Sequence, residues 1–277
     1  MKHLSILDIN SSDTCKSYHY PILTYPPESK VCASLPSGKY KNIISFYHQI
    51  NASDRNENRI IYPTCNAGIV FMCNMLNPDG FFVGALTHPR EAEYAISGCD
   101  YFVVLFCPGI NYAFYPIPQT ELADKYLPLK EILPEKSENL IKKIATASTF
   151  QERILIFEEF MANHQSVLTN IPNQIYNIIS AFYIDIYNDK NEKLMDNHYS
   201  DRHIRRLFEN YIGISPKLFN LIIRHQKTLM LLNSNPTEDL TTIALEQRYY
   251  DQSHFIKEFK RFQGCTPSSF INEYMEK

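Results

Sequence analysis

Residues 249–272 read YYDQSHFIKEFKRFQGCTPSSFIN, a segment that permits few folds. Phe255, Phe259 and Phe262 recur at i, i+4 and i+7, which commits one face of a short helix to a core. The opposite face opens with Gln252 and Ser253 and carries Lys257, Lys260 and Arg261. The helix is expected to start after an Asp and to close at Gly264 and Pro267. An aromatic keel with amide and hydroxyl tips in front and cations behind suits a DNA major groove, where base edges ask for bidentate amides and cations. Many ordinary surface helices are cationic as well, so the segment alone admits both readings.

A second segment repeats the grammar. Ser200–Phe208 reads SDRHIRRLF and is followed by Gly213-Ile214-Ser215-Pro216. Phe208…Gly213…Pro216 has the same spacing as Phe259…Gly264…Pro267. Ser200 supplies an N-cap oxygen, Ile204, Leu207, Phe208 and Tyr211 form the expected buried stripe, and Arg202, Arg205 and Arg206 point the other way. Between the copies, Ser215-Pro216 is a helix start, and Lys217–Leu232 spaces Phe219, Ile222, Ile223 and Met230 as a helix would. That helix would be about 25 Å long, against about 34 Å between successive major-groove faces. It could hold two reading heads near one turn apart. Asp239 can cap a further helix, Leu240–Gln247, which gives Ile243 and Ala244 to the core.

The DQSHF…FKRF.G.TP string and its earlier partner resemble the closing signature of the AraC/XylS family of bacterial transcription regulators, whose C-terminal domain carries two helix-turn-helix units. The resemblance implies a DNA-binding domain at 189–277, with the first unit at about 190–213, a linking helix at 216–232 and the second unit at about 239–264. It implies DNA contacts from Arg202, Arg205 and Arg206 in one groove and from Gln252, Ser253, Ile256 and Lys257 in the next. Arg206 and Gln252 suit guanine and adenine edges. Lys260 and Arg261 suit phosphates or a solvated face, and His254 suits packing or the phosphate side. Two departures stand out. Arg248 occupies the turn position where the family usually has Gly, which serves a left-handed backbone. The first unit's supporting helix, around Glu192–Asn197, reads EKLMDN and lacks the usual Leu-Ala pair.

Composition bounds the alternatives. A chain of 277 residues with 44% hydrophobic and 13% aromatic content suits two folded domains rather than a disordered chain. Residues 190–277 carry 13 Lys and Arg against 11 Asp and Glu, a net +2, while 1–189 is net −5. So mild a positive charge requires cations that are grouped rather than abundant. No run of 18 or more apolar residues exists, which excludes a membrane-spanning helix. The N-terminus has no secretory h-region, and seven scattered cysteines favour reduced thiols. The expected location is cytoplasmic and nucleoid-associated.

Residues 1–128 have a different texture. Runs rich in β-branched and aromatic residues, Asn42–Ile50, Gly68–Asn74, Gly80–Leu86 and Asp100–Cys107, are punctuated by Pro, Gly and Asn. The order LPSGKYKNIISF, GFFVGALTHP, YFVVLFCPGINYAFYPIPQTELADKYLPLKEIL resembles the cupin-like sensor half of one subgroup of that family. The fold expected is therefore α+β: a β-barrel or cupin-like domain, a helical linker at 129–188, and an all-α C-terminal domain. In the linker, Thr149 and Glu152 form a capping box, with Phe150, Ile154, Phe157 and Met161 on one face. A helix over Pro172–Asn188 aligns Ile175, Ile178, Ile179, Phe182 and Ile186. Those stripes can pack inside the chain or pair two copies of it.

An enzymatic front half finds little support. The cluster His88–Glu93 lacks the paired spacing of a metal site, Cys65/Cys73 and Cys99/Cys107 are too far apart for a zinc site, and no phosphate loop or nucleophile elbow occurs. No cofactor, metal or catalytic residue is expected. A barrel mouth could hold a small effector, with Phe46, His48, Phe71, Phe82, Tyr101 and Phe106 as candidate lining against the plainer reading of core packing. The expected partners are double-stranded DNA, a small-molecule effector, RNA polymerase and a second copy of the chain, with no membrane. The rival reading is a ligand-binding or enzymatic cupin-like protein with a degenerate helix-turn-helix domain.

Overall fold

The computed structural model describes residues 30–36, 38–51, 60–91, 99–163, 173–187, 199–235 and 237–274. Among the described residues the N-terminal half contributes eight strands: β1 (Lys30–Ser34), β2 (Ile44–Asn51), β3 (Ile60–Ile61), β4 (Gly68–Met72), β5 (Asp79–Val83), β6 (Arg90–Glu91), β7 (Tyr101–Phe106) and β8 (Tyr126–Pro128). Six of them form one antiparallel sheet in the order β1-β2-β7-β4-β5-β8, and β3 pairs with β6. The four expected strand runs correspond to β2, β4, β5 and β7, while β1 and β8 were not anticipated.

Strand β4 (GIVFM) and strand β7 (YFVVLF) are buried along their whole length, as befits central strands covered on both faces. Because side chains alternate across a strand, the two faces feed separate cores. Tyr47, Ile69, Phe71, Phe82, Phe102, Val104 and Phe106 join one apolar cluster; Phe46, Val70, Met72, Tyr101, Val103 and Leu105 join the other.

The first of these faces is roofed by helices. After α1 (Asn111–Phe114) and α2 (Leu129–Ile132) come α3 (Ser137–Thr146), α4 (Phe150–Ala162) and α5 (Asn173–Tyr187). The Thr149–Glu152 capping box starts α4 as expected. Phe157 of α4 then lies at ring-centroid distances of 6.4, 6.1 and 6.4 Å from Tyr47, Phe71 and Phe106. Arg153, buried in the same helix, donates to Gln49 Oε1 at 2.6 Å and to the carbonyls of Ile144 and Ala147. A buried guanidinium is tolerable only when its donors are met in this way. Ile154, Phe157, Met161, Ile175, Ile178 and Ile179 are all buried within the chain, so the linker stripes serve internal packing. The side chain of Ile186 lies outside the described residues.

Among the described residues of the C-terminal region the regular structure is helical: α6 (Asp201–Tyr211), α7 (Pro216–Ser234), α8 (Leu240–Glu246), α9 (Gln252–Gln263) and α10 (Pro267–Tyr274). The main core runs without a break from the sheet through α5 into α6 and the first half of α7. A separate cluster holds Leu229 and Leu232 of α7 with α8, α9 and α10. The first head is thus built onto the N-terminal domain, while the second packs on the middle and far end of α7, and Phe262 of α9 reaches the main core. Tyr211 packs against Tyr112 with ring centroids 4.5 Å apart and the rings tilted by 52°. Gly213, at φ +96°, passes so close to the N-terminal domain that an added Cβ would sit 2.5 Å from the Gln119 carbonyl oxygen. Gln119 is itself buried and fixed by hydrogen bonds with Asn111, Tyr115 and Ile117.

Candidate nucleic-acid interface

Helix α6 starts at Ser200, whose hydroxyl accepts from the His203 amide at 3.3 Å. Its keel of Ile204, Leu207 and Phe208 is buried, with Phe208 against Phe182 at 4.8 Å and Phe219 at 5.2 Å. Tyr211, expected in the same stripe, is only half-buried. Arg202, Arg205 and Arg206 are all exposed. Two of the three are held in place: Arg205 pairs with Glu209 at 2.8 Å, and Arg206 Nη2 lies 3.3 Å from His203 Nδ1. Such exposed contacts are weak, and they orient the guanidiniums without taking them out of solvent. The supporting segment Glu192–Asn197 lies outside the described residues.

The bar between the heads runs two residues further at its end than the expected 216–232. Helix α7 has 19 residues, about 28 Å. Ser215 caps it through the Leu218 amide at 3.2 Å, and Pro216 occupies the first turn. Phe219, Ile222 and Ile223 are buried as expected, whereas Met230 is half-buried.

Helix α8 begins one residue after Asp239, but the Asp239 side chain makes no capping hydrogen bond, a correction to its expected role. The turn that follows is tied down by Tyr249 N donating to Ala244 O at 2.9 Å and Arg248 N donating to Leu245 O at 3.0 Å. Arg248 has φ +57°. The left-handed geometry expected of a Gly is therefore kept by an Arg, at a cost of about 1–2 kcal/mol.

Helix α9 starts at Asp251, whose carboxylate accepts from the His254 amide at 2.7 Å, and ends at left-handed Gly264. Phe255, Phe259 and Phe262 are fully buried. Gln252, Ser253, Lys257, Lys260 and Arg261 are exposed and Ile256 is half-buried. His254 is exposed and lies 3.8 Å from Glu258. Sequence reasoning missed Glu258, the one charged residue of this helix that is buried, and the helix α10 that packs behind it through Phe270.

The six candidate effector residues are all buried but do not converge. Phe46, His48 and Tyr101 belong to one face of the sheet, with Phe46 and His48 stacked at 5.4 Å. Phe71, Phe82 and Phe106 lie on the other, under the helices. One pocket cannot be lined by all six, because a residue and its strand neighbour face opposite ways. Among the described residues no group of three His, Cys, Asp or Glu is arranged to hold a metal ion. None of the described helices is long and apolar enough to cross a membrane.

Comparison with known proteins places a match on this region. Residues 196–273 match the family model of a helix-turn-helix domain. A protein of Haemophilus influenzae described as an uncharacterised HTH-type transcriptional regulator is 35% identical over 65 residues, which is 24% of this chain and 22% of that protein. The chain thus matches about a fifth of that relative's length. Crystal structures of ToxT from Vibrio cholerae cover most of the chain at low similarity. One has 12% identity and a TM-score of 0.37, covering 90% of this chain and 98% of its own. Another, with an unsaturated fatty acid bound, has 12% identity and a TM-score of 0.39, covering 92% and 99%.

Proposed function

We propose that this chain, whose residues 196–273 form a helix-turn-helix domain of the AraC type, is a sequence-specific DNA-binding transcription regulator. The observation that carries the reading is the pairing of α6 and α9. Each buries an apolar keel, each exposes a polar and cationic face, and one rigid helix of about 28 Å joins them. In this reading Arg206 and Gln252 read base edges. Arg202, Arg205, Ser253, Ile256 and Lys257 complete the two groove faces, and Lys260 and Arg261 meet phosphates.

The domain plan belongs to the same proposal: effector sensing at 1–128, a helical linker at 129–188, DNA binding at 189–277, in the cytoplasm. Pairing with a second copy and contact with RNA polymerase are what the family resemblance would add. For an effector, the sheet face bearing Phe46, His48 and Tyr101 is the better supported location, since the opposite face is filled by Phe157 and its neighbours. The test is selection of binding sites from a random-sequence duplex library. The reading expects one long asymmetric site, and the Arg206→Ala/Gln252→Ala variant should lose that preference while keeping its thermal stability. A protein that enriches no sequence would favour a degenerate domain.

A further inference from the structure

Aligned from their caps, α6 and α9 correspond position by position: Ser200 with Asp251, His203 with His254, Arg206 with Lys257, Phe208 with Phe259. Each head thus carries a histidine three residues after its cap, and each ring rests against a tyrosine ahead of that cap. His203 stacks on Tyr199 with centroids 5.1 Å apart and planes 20° from parallel. His254 meets Tyr249 edge-on at 5.7 Å. The two rings then turn to different neighbours. His254 Nε2 faces the carboxylate of buried Glu258 at 3.8 Å. His203 Nδ1 instead lies 3.3 Å from Nη2 of Arg206, the cation that the reading above assigns to a base edge.

That contact fixes the chemistry of the ring. A guanidinium donates hydrogen bonds and accepts none, so Nδ1 is the acceptor and the ring proton sits on Nε2. Among the described residues Nε2, itself buried, has no hydrogen-bond partner. What a histidine adds here over an apolar ring is therefore the acceptor aimed at Arg206. Nη2 keeps a second hydrogen, and with Nη1 it can still meet O6 and N7 of a guanine. As an exposed contact it adds little stability; its effect is to hold a long side chain in one direction before DNA arrives. We infer that His203 is a positioning residue for Arg206 and sets the guanine preference of the first reading head. The inference rests on the DNA-binding reading above and adds a specificity device to it. Bidentate contact with a guanine edge requires one plane and direction of the guanidinium, whereas phosphates carry no sequence information. The restraint therefore favours the selected site over random duplex.

The test is a double-mutant cycle on the full chain, read as affinity for two fluorescent duplexes. One is selected by the parent protein from a random library and the other has random sequence. His203→Phe keeps a ring for Tyr199 and removes the acceptor. It should keep the parental melting temperature, weaken binding to the selected duplex about fivefold and leave random duplex unaffected. His203→Asn offers an oxygen acceptor near the place of Nδ1 and should recover most of the loss. In an Arg206→Ala background, His203→Phe should have no further effect. Should the phenyl ring unsettle the head, His203→Asn against His203→Leu repeats the comparison with and without an acceptor. Parental affinity for the selected duplex in the variants lacking the acceptor overturns the inference. So does an equal loss on both duplexes, or the same loss without Arg206, since either would make His203 merely structural. A parent protein that binds no duplex at low salt, or selects no sequence, sinks the DNA-binding reading itself. One that selects a sequence while the cycle shows no coupling sinks the positioning role alone.

Discussion

Arg224 of α7 grips Glu258 of α9 through two nitrogens: Nη2 lies 2.6 Å from Oε2 and 2.7 Å from Oε1, with Nε 3.1 Å from Oε1. The carboxylate is buried, and the guanidinium lies over the Tyr249 ring. This contact joins α7 to α9 and, through the Tyr249 ring, to the turn between α8 and α9. Rigid geometry between the two heads depends on it as much as on the apolar cluster beneath.

Breaking the pair from one side should therefore be costly. Arg224→Ala leaves Glu258 buried without its partner and is expected to destabilise the C-terminal domain by about 3 kcal/mol. Replacing both residues by apolar ones of similar size should cost much less than the two single changes together. Denaturant unfolding of the three variants measures this. Equal and additive losses would mean that the pair is not coupled.

Two left-handed glycines should respond differently to the same change. Gly264 ends α9 at φ +81° with open space around an added Cβ, so Gly264→Ala should cost only the backbone strain, about 1 kcal/mol. At Gly213, φ +96°, the new methyl would also meet the Gln119 carbonyl oxygen at 2.5 Å. Gly213→Ala should lower the melting temperature further and expose the seam between the first head and the N-terminal domain to proteolysis. Equal melting temperatures for the two variants would show that the seam yields freely.

Stability should fall as the solution is acidified, for a definable reason. Burial holds the His225 ring down at about 4 and His48 at about 3, both below the ordinary histidine value. The unfolded chain takes up these protons near pH 6.5 while the folded chain refuses them. Stability is thus full above about pH 6.5 and is lost as pH falls from there toward 4. By pH 5 the loss is about 2 kcal/mol per histidine. In His225→Gln, unfolding free energies at pH 7 and pH 5 should differ by about 2 kcal/mol less than in the parent. An unchanged pH dependence would contradict the buried neutral ring.

Helices α6 and α9 were legible in the sequence because their signals are local. Keel spacing, an N-cap and the Gly–Pro closure all lie within about five turns of helix, and the structure reproduces them at Ser200–Pro216 and Asp251–Pro267. The Arg224–Glu258 grip was not legible, since it joins residues 34 apart whose charges each look solvated on their own helix. The same holds for Gly213 against Gln119, where the constraint comes from another domain. The effector residues illustrate a third limit. Phe46 and Phe71 look alike in composition, but strand register decides which face each side chain takes, and register is set by pairing that the local sequence does not state.

The central claim is that α6 and α9 enter DNA, and the most direct measurement is the affinity of the purified full chain for duplex DNA across a salt series. The account predicts binding at 50 mM salt that weakens steeply and linearly on a log–log plot, with a slope of several released ions. The Arg206→Ala/Gln252→Ala variant should keep most of its affinity for random duplex and lose the preference for selected sequence. A chain that ignores duplex DNA at low salt, or binds it with no dependence on salt, would contradict the account.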